Sequence, residues 1–289
     1  MDTRDWEIIK ILHEQKNITK TANLLYISQP ALTKRLQQIE NEFNTQIVIR
    51  GRRGVHFTPQ GEFLVKCADE MLYRLRSIKD TISDIDDKVV GTLRIGVSNL
   101  ITRIKIPQIL KQFKNNFPEV EFMVSSGWSS EAFHLLTNRE IHIAIVRGDY
   151  PWQEGKHLLF KEPLTIVSPY PIMLEDLPNL PRIDYGSDSK LRELISHWWS
   201  ENFSTPPKIA MTVDRTDTCK QMVVNGLGYA ILPGLVVNNE KDVYKMNLTT
   251  NDGELITRDT WMLYHDESLE YSLVDEFVKF VQELDFENI

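Results

Sequence analysis

The sequence predicts an α+β multidomain chain, and three observations carry that prediction. Residues 1–58 hold three short amphipathic helices and a glycine-flanked hairpin, residues 59–90 an uninterrupted heptad pattern, and residues 91–289 alternating strand and helix patterns. A chain of 289 residues is long enough for two or three hydrophobic cores. Hydrophobic residues at 42% and charged residues at 26% are close to the averages of soluble globular proteins, which excludes a disordered or fibrous chain.

The first helix is read over residues 2–16, where Trp6, Ile9 and Leu12 recur at helical spacing and Ile8 and Ile11 widen the stripe. Asn17-Ile18-Thr19 supplies a turn and a hydroxyl cap for a second, two-turn helix in which small Ala22 permits a close crossing. Ser28 caps the third helix, Pro30 suits its first turn, and Ile27 and Leu32 stand at the positions of a hydrophobic staple. Leu32, Leu36, Ile39 and Phe43 form its inner stripe. Gln29, Thr33, Lys34, Arg35 and Gln37 remain outside, with groups suited to base edges and phosphates. Asn44 ends the helix as a left-handed residue. Strands at Gln46–Arg50 and Val55–Thr58 then flank the turn Gly51-Arg52-Arg53-Gly54, a cationic tip for a phosphate or a minor groove.

From Pro59, Leu64, Ala68, Met71, Leu75, Ile78, Ile82, Ile85 and Val89 alternate four and three apart, a pattern that asks for a partner helix. Gly91 closes it. Strands follow at 92–98, 120–126, 141–146, 163–168, 182–186, 208–213, 229–233 and 260–265, and helices at 104–117, 130–137, 189–202, 217–225 and 271–284. This alternation predicts mostly parallel sheets.

Charge is divided unevenly. The net charge is −8, yet residues 1–58 carry nine Lys/Arg against six Asp/Glu while the rest carries 24 against 35. A mildly basic head on an acidic body suits a nucleic-acid module. No apolar run approaches the roughly 20 residues needed to span a bilayer, and the acidic, amphipathic start is unlike a signal peptide, so a cytoplasmic protein without membrane contact is expected. Cys67 and Cys219 are read as free thiols; only Lys66 and Arg74 could lower the pKa of Cys67, too little for a redox sensor. The sequence lacks GxSxG, a P-loop, HExxH and paired CxxC, and its seven histidines have no metal-ligand spacing. No enzyme, metal or cofactor is therefore expected.

The stretch TKTANLLYISQPALTKRLQQIENEFNTQIVIRGRRGVHFTPQG resembles the N-terminal signature of LysR-type transcriptional regulators. The resemblance is carried by Ser28-Gln29-Pro30-Ala31-Leu32, Glu40, Arg50, Thr58 and Gly61, with departures at Ile39, Asn44 and Val48. It implies a winged helix-turn-helix over 1–58, a linker and dimerisation helix over 59–90, and an effector-binding regulatory domain over 91–289. That domain is similar to type 2 periplasmic binding proteins, with subdomain I at about 91–163 and 266–289 and subdomain II at about 164–265. By resemblance, Gln29, Pro30, Thr33, Lys34 and Arg35 meet bases or nearby backbone, and Arg50, Arg52 and Arg53 meet phosphates or the minor groove. The implied partners are double-stranded DNA with an interrupted palindromic operator, a second copy of the chain (a dimer through the linker helix, assembling to a tetramer) and RNA polymerase.

Ligands of open α/β sheets sit at the carboxyl ends of strands, near helix N-termini. That rule selects Ser98, Asn99 and Leu100 after the first strand, Ser129, Ser130 and Glu131 at the helix after the second, Arg147 after IHIAIV, and Thr216 and Thr218 at a later helix start. Arg258, ahead of TWMLYH, is a second cation able to fork onto a carboxylate; for both arginines the competing reading is an ordinary ion pair. Within the family, CKQMVVNGLGYAILP and the two arginines resemble the citrate-sensing catabolite control protein E group. This implies a di- or tricarboxylate on Ser98, Ser129, Arg147 and Arg258. Two other classes remain open at this point: a binding-protein-like carrier without DNA activity, and an α/β enzyme with an appended helical domain.

Overall fold

The computed structural model describes residues 1–51, 54–84 and 89–286, which fall into two compact units divided at Lys88/Val89. In the first unit, helix α1 (Thr3–Gln15) opens with a reciprocal cap: Asp5 N–H donates to Asp2 Oδ1 at 3.1 Å and Asp2 N–H to Asp5 Oδ2 at 2.8 Å. Helix α2 (Ile18–Leu24) is capped by the Asn17 amide oxygen, which accepts Lys20 N–H at 3.0 Å, so the cap is Asn17 and not the Thr19 hydroxyl. Helix α3 (Gln29–Glu42) starts as expected, with Ser28 Oγ accepting Ala31 N–H at 3.3 Å. Asn44 follows it in the left-handed region at φ 49°.

Strands β1 (Val48–Gly51) and β2 (Gly54–Phe57) pair antiparallel as the wing. Two distant contacts tie the wing down. Glu40 accepts the Ile47 and Val48 N–H groups at 2.9 and 3.2 Å, and the Val55 N–H donates to Lys16 O at 2.9 Å. Gly54 is obligatory there, because at φ 117° an added Cβ would stand 2.5 Å from Lys16 O.

Helix α4 (Pro59–Asp84) divides its apolar pattern between two roles. Leu64, Val65 and Ala68 join Ile8, Ile9, Leu12, Leu32, Leu36 and Ile39 in the core of the first unit, whereas Met71, Ile78 and Ile82 stay exposed. Of the remaining heptad positions, Leu75 is half-buried, Ile85 lies outside the described residues and Val89 packs on the core of the second unit.

The second unit is built on β3 (Gly91–Ser98), β4 (Val120–Gly127) and β5 (Ile143–Arg147), with β3 parallel to both others. A short helix that was not expected, α5 (Asn99–Ile104), precedes α6 (Ile106–Asn116), which is the helix expected over 104–117. Pro107 has no N–H to bond back along a continuous helix, so the chain restarts with it in a new first turn. Helix α7 (Ser129–Thr137) follows β4. Strand β6 (Lys156–Ser168) is more than twice the expected length and carries the chain into the second subdomain of β7 (Arg182–Tyr185), α8 (Ser189–Asn202), β8 (Ile209–Val213), α9 (Thr216–Val224), β9 (Ala230–Pro233), α10 (Gly234–Val237) and β10 (Tyr244–Asn247).

Strand β11 (Thr257–Tyr264) brings the chain back and α11 (Ser272–Gln282) closes the first subdomain, burying Leu273, Val274, Phe277, Val278 and Val281 at about 1.5–3 kcal/mol each. On this return, residues 260–264 pair with β5. An outgoing and a returning strand must run antiparallel. The sheet β10-β6-β11-β5-β3-β4, with β9 also on β6, is accordingly mixed and not mostly parallel as expected; β7 and β8 form a separate parallel pair. Among the described residues no helix is long and apolar enough to cross a membrane.

Candidate functional site

In the first unit, the packing of Leu32, Leu36 and Ile39 turns the opposite face of α3 outward. Gln29, Pro30 and Lys34 are exposed and Thr33 is half-buried; Gln29 Nε2 donates to Thr33 Oγ1 at 3.3 Å, setting two of the expected DNA-facing side chains side by side. Arg35 is used differently. Its Nη2 donates to Asp5 Oδ2 at 2.7 Å and Asp2 Oδ2 at 3.0 Å, and its Nη1 to Gln38 Oε1 at 3.2 Å. Asp5 is 1% exposed, so this fork locks α3 onto the start of α1 instead of reaching outward. Its hydrogen bond to Asp5 raises the Arg35 pKa above the ordinary value. Arg50 is exposed on β1, while Arg52 and Arg53 lie outside the described residues.

The second unit contains a cleft between its subdomains. An inner chamber of about 60 Å3 is lined by Ser98, Asn99 and Leu100 at the end of β3, Ser129 at the start of α7, Arg147 at the end of β5, Thr216 at the start of α9, and Arg258. Seven of the ten expected effector residues thus meet in one place. Ser130, Glu131 and Thr218 do not line it. Glu131 instead closes the N-terminus of α7 by accepting Trp128 N–H at 2.7 Å.

The chamber also contains groups that the sequence reading missed: Trp128, Tyr185, Asp188 and Pro233. Ser129 Oγ accepts the Arg147 N–H at 3.0 Å and is hydrogen-bonded to Tyr150. Burial, followed by the charge of Asp188, raises the Tyr150 hydroxyl above its ordinary pKa, and burial does the same for Tyr185. Both arginines are 4% exposed, and each holds an acid: Arg147 pairs with Glu162 and Arg258 with Asp188. Burial, then the like charge of Arg258, pulls the Arg147 guanidinium down to about 10. Ser98 Oγ and the Nε atoms of Arg147 and Arg258 are buried and have no hydrogen-bond partner among the described residues.

A larger outer chamber of about 530 Å3 shares Asn99, Leu100, Trp128, Gly186 and Thr216 with the inner one and adds Arg103, Asp214, Arg215 and Asp217. Arg103 of the first subdomain and Asp217 of the second form an ion pair across it. Its size falls within the roughly 300–1,000 Å3 of small-molecule pockets, whereas the inner chamber has room for a few waters or one oxyanion group. Neither thiol belongs to the site: Cys67 and Cys219 are free, and burial pushes Cys219 up to about 12.

The family models agree with this two-unit organisation. Residues 3–62 match the model described as bacterial regulatory helix-turn-helix protein, lysR family, and residues 86–285 match the LysR substrate binding domain. The chain is 40% identical over 282 residues to the HTH-type transcriptional regulator YraN of Bacillus subtilis, covering 98% of both, and 35% identical over 291 residues to YkuM of the same organism, covering 100% of this chain and 99% of that one. The fold is shared with the Vibrio cholerae virulence activator AphB, at TM-score 0.63 and 18% identity over 97% of this chain and 98% of that one. It is shared too with full-length CbnR solved with its target DNA, at TM-score 0.64 and 17% identity over 98% and 99%. A helix-turn-helix module joined to a two-subdomain ligand cleft, with family matches to each over most of its length, makes this chain a member of the LysR-type transcriptional regulators, DNA-binding proteins that carry an effector-binding domain.

Proposed function

We propose that the chain regulates transcription at an interrupted palindromic DNA site, that it binds there as a dimer or higher oligomer assembled through α4, and that a di- or tricarboxylate of the citrate class in the cleft switches it. The exposed face of α3, with Gln29, Pro30, Thr33 and Lys34, reads the major groove, and Arg50 with the wing holds phosphate. Arg35 serves by fixing the angle of α3.

The observation that carries the effector reading is the inner chamber. Two buried guanidinium groups and Ser98 line it, each with one buried donor that has no partner among the described residues, beside an outer chamber large enough for the rest of a small acid. Buried donors without partners are costly, and an oxyanion satisfies them. A ligand switches the protein only through different affinities for two arrangements, so the cross-cleft contacts are where those arrangements differ. Thermal unfolding with citrate, succinate and other di- and tricarboxylates, on wild type and Arg147→Ala, tests the reading. The expected result is a rise in Tm that the variant loses. No rise with any acid would remove the carboxylate effector and leave the DNA-binding assignment in place.

A further inference from the structure

The two arginines of the inner chamber already hold one acid each, and the four formal charges cancel. A net-neutral buried site gives an incoming anion no overall attraction unless one internal acid gives way. The two acids are held differently. Glu162 is anchored twice, with one oxygen on Arg147 and the other accepting the Leu235 N–H at 3.0 Å at the start of α10, and it does not line the chamber.

Asp188 does line the chamber. It is the N-cap of α8, where Oδ1 accepts the Leu191 N–H at 2.9 Å, and only Oδ2 reaches Arg258. A capping side chain can keep its helix bond without being charged. Arg258 sits on β11 where that strand crosses between subdomains, whereas α8 belongs wholly to the second. The Asp188–Arg258 pair is thus a tie from the crossing strands to the second subdomain, placed where a ligand enters.

We propose that Asp188 is a built-in, displaceable counter-ion: it occupies the position of the effector's oxyanion group on Arg258, and the effector exchanges with it. The inference rests on reading the chamber as the effector seat and adds a selection rule. Only a ligand whose oxyanion competes with a tethered carboxylate enters, and its entry releases the tie to α8, coupling occupancy to the position of the second subdomain. The exchange breaks one ion pair and forms one, so the discrimination comes from the difference between them.

The test is Asp188→Asn, with Asp188→Ser as a second variant. Both residues are good N-caps and leave α8 its bond while removing the charge. The uncompensated Arg258 lowers the Tm in anion-free buffer, and citrate, succinate or sulfate restores it at about one-tenth of the concentration that wild type needs. Adding Arg258→Gln to Asp188→Asn abolishes the gain. If wild type binds an acid and the Asp188 variants bind it equally or more weakly, Asp188 is not a competitor, and the inference fails while the carboxylate reading survives. If wild type responds to no acid but the variants gain sulfate or citrate binding through Arg258, the counter-ion role stands and the carboxylate effector falls. No gain with any of the three anions overturns the inference.

Discussion

At the scale of single residues, the first unit is held by side chains that join one element to the next. Thr58 illustrates this: its Oγ1 donates to Gln46 O at 2.7 Å and accepts the Gly61 N–H at 3.0 Å, joining the wing to the start of α4. Gly61 itself lies so close to the wing that an added Cβ would stand 2.1 Å from Ile47 O, a backbone atom that cannot swing aside. Gly61→Ala is therefore expected to destabilise the first unit by about 1–3 kcal/mol or more, read as a fall in the urea midpoint of its transition. Gly51→Ala is the matching control. Among the described residues its added Cβ meets only Gly54 O, at 3.9 Å, so a change within about 0.5 kcal/mol is expected. Equal losses in both variants would mean that the wing, not the close approach, limits stability.

At the scale of elements, α4 is a helix whose apolar stripe outlasts the core it packs against. Met71 and Ile78 are each 45% exposed and Ile82 is 63% exposed, along a face that continues the pattern of Leu64 and Ala68. Exposed apolar residues at heptad spacing are what a partner helix buries. The double substitution Ile78→Glu, Ile82→Glu is expected to convert an oligomer to monomers in light-scattering measurements, and to reduce affinity for a two-half-site DNA far more than for a single half-site. An unchanged mass would assign assembly to another surface. Helix α3 behaves in the opposite manner: Leu32, Leu36 and Ile39 are fully absorbed, and only Phe43, expected in the same stripe but standing at the C-cap, is left exposed, while the polar face that remains is the one offered to DNA.

At the scale of the molecule, the basic residues 1–58 and the acidic remainder predict a division of labour. DNA affinity should fall steeply with salt, its logarithm declining by about 0.9 per phosphate contact for each unit of log salt concentration. Removing residues 1–58 should abolish that binding and leave ligand-induced stabilisation of the second unit intact. A truncated chain that still bound DNA with the full salt slope would move the interface elsewhere. The amino-acid sequence by itself determined the helix starts at Ser28 and Pro59, the wing, most strands and seven residues that meet in the cleft out of ten expected there, because caps, turns and periodicity are local and strand ends mark ligand clefts. The short α5, β10 and α10 escaped it, since the four to six residues of NLITRI, YKMN or GLVV are too few to show periodicity. So did the length of β6 and the mixed sheet, which follow from the chain crossing and returning between subdomains. What only the tertiary structure decided is which charges are already taken. Arg35 finds Asp5 thirty positions away, Arg147 finds Glu162 at fifteen and Arg258 finds Asp188 at seventy. The state of a buried charge is set by whatever the fold brings within a few ångströms, a distance that spacing along the chain does not encode.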